Sequence, residues 1–186
     1  PVVFTATGTL RPYASVSLNS MVAGQLRQVH FREGEFVRKG QTLFTIDPRP
    51  FETQLAQAEA NLARELATVE QIKANLARDT AEAQFADSQA RRYERLVEEG
   101  IGAQEQAEQY RTNALVKAEA IAAAKAALAT AEAAVRADRA AVQSARVQLS
   151  FCTITSPIDG QTGSLLVNEG NLVKLNETIL VTINQL

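Results

Sequence analysis

The sequence predicts an α+β fold: a small two-sheet β-sandwich made in two halves, with a long antiparallel α-helical coiled-coil hairpin inserted between them. Three observations predict it. A short pattern occurs twice, first as Ser20, Gly24-Gln25, Glu33-Gly34, Val37 and Thr42, then as Ser156, Gly160-Gln161, Glu169-Gly170, Val173 and Thr178. The offset between the copies is 136 residues throughout, with no gap. The stretch between them is Ala-rich, lacks Gly and Pro over 51–98 and 104–149, and repeats every seven residues. Each copy alone is too small to close a core, so the halves should pack on each other with pseudo-two-fold symmetry.

In the first half, Ser15-Val16-Ser17-Leu18-Asn19-Ser20 alternates polar and apolar residues, as a strand with one buried face does. In Gln25 to Phe31, Leu26 is out of phase with Val29 and Phe31, which predicts a bend near Gln28. Glu33-Gly34-Glu35 and Lys39-Gly40 are turns in which glycine is free to take positive φ. Thr42-Leu43-Phe44-Thr45-Ile46 closes the half as another strand. The second half repeats the plan. Leu165 and Val167 correspond to Val29 and Phe31, and Ile179-Leu180-Val181-Thr182-Ile183 to the last strand. Asn176 stands in place of Gly40, a replacement compatible with a left-handed turn.

The insertion carries apolar or small residues at seven-residue spacing: Leu55, Leu62, Val69, Leu76, Ala83, Ala90 and Val97, then Ala107, Ala114, Ile121, Leu128, Val135, Val142 and Leu149. A second stripe, three residues on, includes Ala58, Ile72, Ala86 and Tyr93, then Tyr110, Ala124, Ala131 and Ala145, and is interrupted by Glu65, Asp79, Lys117 and Asp138. A strict heptad specifies a left-handed coiled coil. The short break Glu98-Glu99-Gly100-Ile101-Gly102 implies antiparallel helices. Asp47-Pro48-Arg49-Pro50 suits the start of the first helix, where prolines displace no hydrogen bond. At 1.5 Å per residue each arm should be roughly 70 Å long. On pattern alone, a scaffold or dimerisation rod fits as well as a docking arm.

Composition excludes several classes. A net charge of −2 with no clustered Lys or Arg gives no field for nucleic acid or an acidic membrane. No apolar run approaches the ~20 residues that span a bilayer. The lone Cys152 forbids a disulfide within the chain, and the lone His30 leaves no metal cluster, so both are expected to be structural. There is no Gly-rich phosphate loop and no Ser/His/Asp set, so neither catalytic residues nor a cofactor are expected. The chain opens at Pro1 in an extended segment, Val2-Val3-Phe4-Thr5-Ala6-Thr7, with neither initiator Met nor signal peptide, and is expected to be a piece of a longer protein.

At this point the chain resembles the periplasmic adaptors (membrane fusion proteins, the HlyD-like family) of tripartite efflux pumps serving resistance-nodulation-division (RND) transporters. Gly24-Gln25-Leu26, Glu33-Gly34, Val37, Gly40-Gln41 and Ile46-Asp47-Pro48 match the first half of that family's split lipoyl-like domain, the barrel-sandwich hybrid. Leu149-Ser150-Phe151, Ile154, Ser156-Pro157 and Ile158-Asp159-Gly160 match the second. The resemblance divides the chain into 1–9, a strand remnant of a β-barrel domain; 10–48, the first lipoyl-like half; 49–150, the hairpin; and 151–186, the second half. A β-barrel and a membrane-proximal domain would follow Leu186.

The resemblance also implies a ring of adaptors linking an inner-membrane RND-type transporter to a TolC-like outer-membrane channel, in the periplasm and attached to the inner membrane. It places channel docking at the hairpin tip, at Arg92, Leu96, Gly100, Ile101 and Ala103. Arg92 would bond channel carbonyls or carboxylates, and Leu96 and Ile101 would give an apolar contact; taken without the family, Arg92 is an ordinary solvated helix charge. The family's third tip position is Ser; Ala103 stands there and lacks that hydroxyl. Two other functions compete: an adaptor for an ABC or major-facilitator exporter, which shares the split module, and a lipoyl- or biotinyl-type carrier domain. A carrier presents a modified Lys on the turn between its halves, and no Lys lies between Thr45 and Phe51.

Overall fold

The computed structural model describes residues 12–185, so the strand expected at 1–9 lies outside the described residues. Strands β1 (Ala14–Asn19), β2 (Gly24–Val29), β3 (Phe36–Val37) and β4 (Thr42–Ile46) precede helices α1 (Arg49–Glu98) and α2 (Gln104–Ser150). Strands β5 (Thr153–Thr155), β6 (Gly160–Thr162), β7 (Leu172–Val173) and β8 (Ile179–Gln185) follow. The chain forms two compact units. One holds the strands with the helix roots up to Ala56 and from Gln143; the other is Gln57–Val142.

The strands form two four-stranded sheets, in the orders β1-β8-β6-β3 and β5-β4-β2-β7. The two orders are the same when each strand is replaced by its mate in the other half. Each sheet therefore takes two strands from each half. β1 pairs with β8, β3 with β6, β2 with β7 and β4 with β5, all antiparallel and all across the halves. Between the sheets lie Leu26, Val37, Leu43, Phe44, Ile46, Cys152, Val173, Leu180, Val181 and Ile183, every one fully or almost fully buried. Phe51 and Leu149, at the helix roots, pack against this core.

The repeated polar residues hold the halves together. Gln161 Nε2 donates to Gly34 O at 2.7 Å, and its mate Gln25 Nε2 donates to Gly170 O at 3.1 Å. Glu169 Oε1 accepts from Val29 N at 2.9 Å, and its mate Glu33 Oε1 accepts from Leu165 N at 2.5 Å. Gly40 N donates to Ser156 O and Asn176 N to Ser20 O. The buried hydroxyls of Ser20 and Ser156 turn back onto the carbonyls of Val22 and Ile158. The sequence identities are thus reciprocal hydrogen bonds, each half satisfying polar groups of the other.

One expectation is corrected. The offset of 136 holds only as far as the last turn. In β8 it is 137: Leu26 is opposite Ile46, while Thr162 is opposite Ile183. Glu177 is the extra residue, lying in the turn that holds Asn176. Thr42 and Thr178 are therefore not mates. Thr178 Oγ1 accepts from Lys174 N, as Gln41 Oε1 accepts from Arg38 N. A turn absorbs an added residue, whereas a strand slipped by one residue would turn its core face to solvent.

The turn and bend expectations match. Gly34, Gly40 and Asn176 have φ of 75°, 84° and 55°, and the β2–β4 register shifts between Leu26 and Gln28. His30 Nε2 lies 2.8 Å from Thr45 Oγ1, and Cys152 is buried with its thiol pKa pushed up by desolvation.

The start of α1 is fixed by charge. Arg49 Nε and Nη2 donate to both Asp47 carboxylate oxygens at 2.6–3.1 Å, and Arg49 N donates to Oδ1 at 3.2 Å. The Arg49 guanidinium holds Asp47 down from 3.8 to about 2. A depressed carboxylate pKa contributes stability that is complete above the unfolded value and is lost as pH falls through the folded one. Asp47→Asn is therefore expected to flatten the fall in stability between about pH 4 and pH 2. Urea unfolding across that range checks it; parallel profiles would refute it.

Candidate functional site

In the unit from Gln57 to Val142, α1 and α2 run antiparallel. Tyr93 stacks on Tyr110, Glu82 pairs with Lys117, and Val69 packs with Ala131 and Val135. None of the heptad residues in this unit, from Leu62 to Val97 and from Ala107 to Val142, is exposed, as the spacing predicts. The interrupting charges are half-buried and two have partners: Lys117 Nζ reaches Glu82 Oε2 across the helices at 2.7 Å, and Asp79 accepts from Arg78 at 2.9 Å. Their positions in the stripe thus cost less than an unpaired charge would.

The tip is a compact turn. Gly100 N donates to Val97 O and Ile101 N to Leu96 O, each at 3.0 Å. With Gly100 at φ 77°, this is a Schellman cap, which needs a residue tolerant of the left-handed region. Gly102 N also donates to Leu96 O, at 2.9 Å. A Cβ at Gly102 would lie 2.9 Å from the Leu96 carbonyl carbon and the Val97 nitrogen, so the chain folds tightly back on the end of α1. Leu96 therefore has two parts: its carbonyl closes the turn and its side chain is half-buried.

The other predicted tip residues face outward. Ile101 is 74 % exposed and Ala103 is exposed. Arg92 is exposed, with no hydrogen bond or ion pair among the described residues, whereas its neighbour Arg91 is tied to Asp87 at 2.9 Å. Ala103 occupies the N-cap of α2: its carbonyl accepts from Ala107 N, but its methyl group satisfies no amide of the first turn. Ala103→Ser is thus expected to stabilise the tip by about 1 kcal/mol and to slow exchange at the Glu105 and Gln106 amides. Unchanged exchange there would refute the capping role.

Sequence reasoning missed two features of the tip. The heptad spacing places Tyr93 and Tyr110 in the second stripe, within two turns of the break, but does not itself fix their pairing across it. Gly102, the second glycine of the break, signals the close approach to Leu96. At the other end of α1, the position where a carrier module would present its lysine runs through Asp47 into the helix. Among the described residues no group of three or more His, Cys, Asp or Glu could hold a metal ion, and no helix is long and apolar enough to cross a membrane.

Comparison with known proteins decides the family. Residues 14–184 match the family described as RND MFP, barrel-sandwich hybrid domain. The chain belongs to this family of membrane fusion proteins. Its relatives include the multidrug resistance protein MdtA of Proteus mirabilis, 36 % identical over 187 residues, spanning 100 % of this chain and 39 % of that protein. MdtA of Pantoea ananatis is also 36 % identical, over 100 % of this chain and 38 % of its own length. This membrane fusion protein chain thus spans about two-fifths of the length of the curated relatives it matches.

Among solved structures, a MacA–MexA chimera containing the α-hairpin domain of Pseudomonas aeruginosa MexA superposes with a TM-score of 0.57 at 27 % identity, over 94 % of this chain and 49 % of that one. The periplasmic adaptor protein EmrA superposes with a TM-score of 0.63 at 14 % identity, over 94 % of this chain and 73 % of that one, a likeness of fold alone. The barrel-sandwich hybrid with a long hairpin is the architecture this membrane fusion protein shares with them.

Proposed function

We propose that this chain is the base and arm of a periplasmic adaptor for multidrug efflux. It would link an inner-membrane RND-type transporter to a TolC-like outer-membrane channel. Residues 10–48 and 151–186 are the base, 49–150 the arm, and the tip around Arg92, Leu96, Gly100, Ile101 and Ala103 docks to the channel. The role is mechanical rather than enzymatic: copies assemble as a ring in the periplasm, attached to the inner membrane, and the arms meet the channel.

The observation that carries the reading is the exposed tip of a hairpin in an RND membrane fusion protein domain, with Arg92 unpaired and Ile101 uncovered. A guanidinium free of internal partners can give its donors to carbonyls or carboxylates of another protein. The MdtA relatives, named as multidrug resistance proteins, support drugs as the exported class.

Arg92→Asp in the full-length protein tests it. The variant should fold normally and lose efflux, seen as drug susceptibility equal to that of a strain lacking the adaptor. Unchanged susceptibility would refute docking through Arg92.

A further inference from the structure

Between the Val69 cluster and the tip, the hairpin seam is made largely of small side chains. Ala83, Ala86, Ala90 and Ala107 are buried, and Ala114 is half-buried. Alanine layers let helices approach closely but bury little apolar area, so they resist opening weakly. One layer differs. The rings of Tyr93 and Tyr110, one from each helix, stack with centroids 4.2 Å apart and planes 18° apart. Aromatic rings bring far more contact area than methyl groups, and a stacked pair adds a geometric preference of its own.

The place of this layer matters. Tyr93 follows Arg92 in the chain and precedes by three residues Leu96, whose carbonyl closes the tip turn. Tyr110 lies three residues beyond Ala107, the buried alanine nearest the start of α2. Among the described residues the stack is the aromatic contact nearest the turn, and it joins both helices of the seam there.

We propose that the Tyr93–Tyr110 stack is the clasp that positions the tip. It fixes the helix ends in one register, so that Arg92 and the Leu96–Ile101 turn meet the channel in a single arrangement. Both tyrosines are positioning residues, half-buried and turned towards each other rather than towards a partner. The inference rests on the docking reading above, and its test separates the two.

Tyr93→Ala with Tyr110→Ala, and separately Tyr93→Phe with Tyr110→Phe, are made in the full-length protein beside Arg92→Asp. Amide exchange is measured on the adaptor alone, and binding is measured to the purified outer-membrane channel of the same bacterium. The alanine pair should speed exchange at residues 96–106 about 10-fold or more and leave residues 62–76 unchanged. It should also weaken channel binding about 10-fold. The phenylalanine pair keeps the ring stack and should stay within about 3-fold of wild type in both measurements. Unlabelled Cys152 in the alanine variant confirms that the base remains folded.

Unchanged exchange at the tip overturns the clasp, whatever the channel does. Faster exchange with wild-type binding, while Arg92→Asp loses binding, overturns the positioning role and leaves docking intact. Wild-type binding by Arg92→Asp and the alanine pair alike overturns the docking reading and the positioning role with it, while the exchange data still report the clasp.

Discussion

Phe44→Ala is expected to destabilise the sandwich by about 3–5 kcal/mol, a large share of the stability of an ordinary domain. Phe44 is 0 % exposed and the largest of the fully buried side chains. It sits in β4, between β5 and β2, with its ring edge-on to Phe31 at 5.2 Å and 86°. Removing it leaves a cavity in the core, and its neighbours in β4, Leu43 and Ile46, are already committed to it. Cys152 is a built-in reporter, 2 % exposed in that same core, with a thiol that burial keeps protonated. Labelling of Cys152 against urea should show a midpoint about 2 M lower in the variant. A midpoint matching that of wild type would show that Phe44 is not a keystone of the base.

Gly160→Ala should cost about 2–3 kcal/mol, more than its mate Gly24→Ala. A Cβ at Gly160 would lie 2.6 Å from Asn184 O, 3.0 Å from Asn184 C and 2.9 Å from Ile183 Cγ2. These atoms belong to β8, which is held on its other side by β1, so the backbone has nowhere to retreat. At Gly24 the added atom meets only Ile46 Cγ2, at 2.6 Å, and a side-chain methyl can shift where a carbonyl cannot. The same thiol-labelling titration ranks the two; equal costs would mean that β8 yields as readily as a side chain. The repeated Gly-Gln pair thus has two separate causes, close approach at the glycine and the cross-half hydrogen bond at the glutamine.

Much of this was legible in the sequence because it depends on local rules. Heptad spacing marked the buried stripe residue by residue, and Gly34, Gly40 and Asn176 marked left-handed turns. What escaped depends on long-range pairing. Nothing local to β1 or β3 says that each joins a strand of the other half. The shared threonine at 42 and 178 concealed the inserted Glu177, because identity at a turn can arise where the roles differ. At the tip, Ile101 and Ala103 could be placed at the turn from the break alone, whereas Arg92, inside α1, was tied to the tip only by the family resemblance. The Tyr93–Tyr110 stack could not be placed, since two residues in one stripe fix neither ring orientation nor partner.

The exchange of strands between the two sheets also sets an order in time. Ala14 pairs with Gln185, so β1 is synthesised long before its partner exists, and β3 likewise waits for β6. Among the described strands, only β2 with β4 can pair before the hairpin is made. Closing so long a loop is entropically costly and slow for a free chain. Helices form and zip locally, and once α1 lies along α2 the end of β4 and the start of β5 are already neighbours. During synthesis the hairpin would thus shorten the search that completes the base, before any partner protein is met.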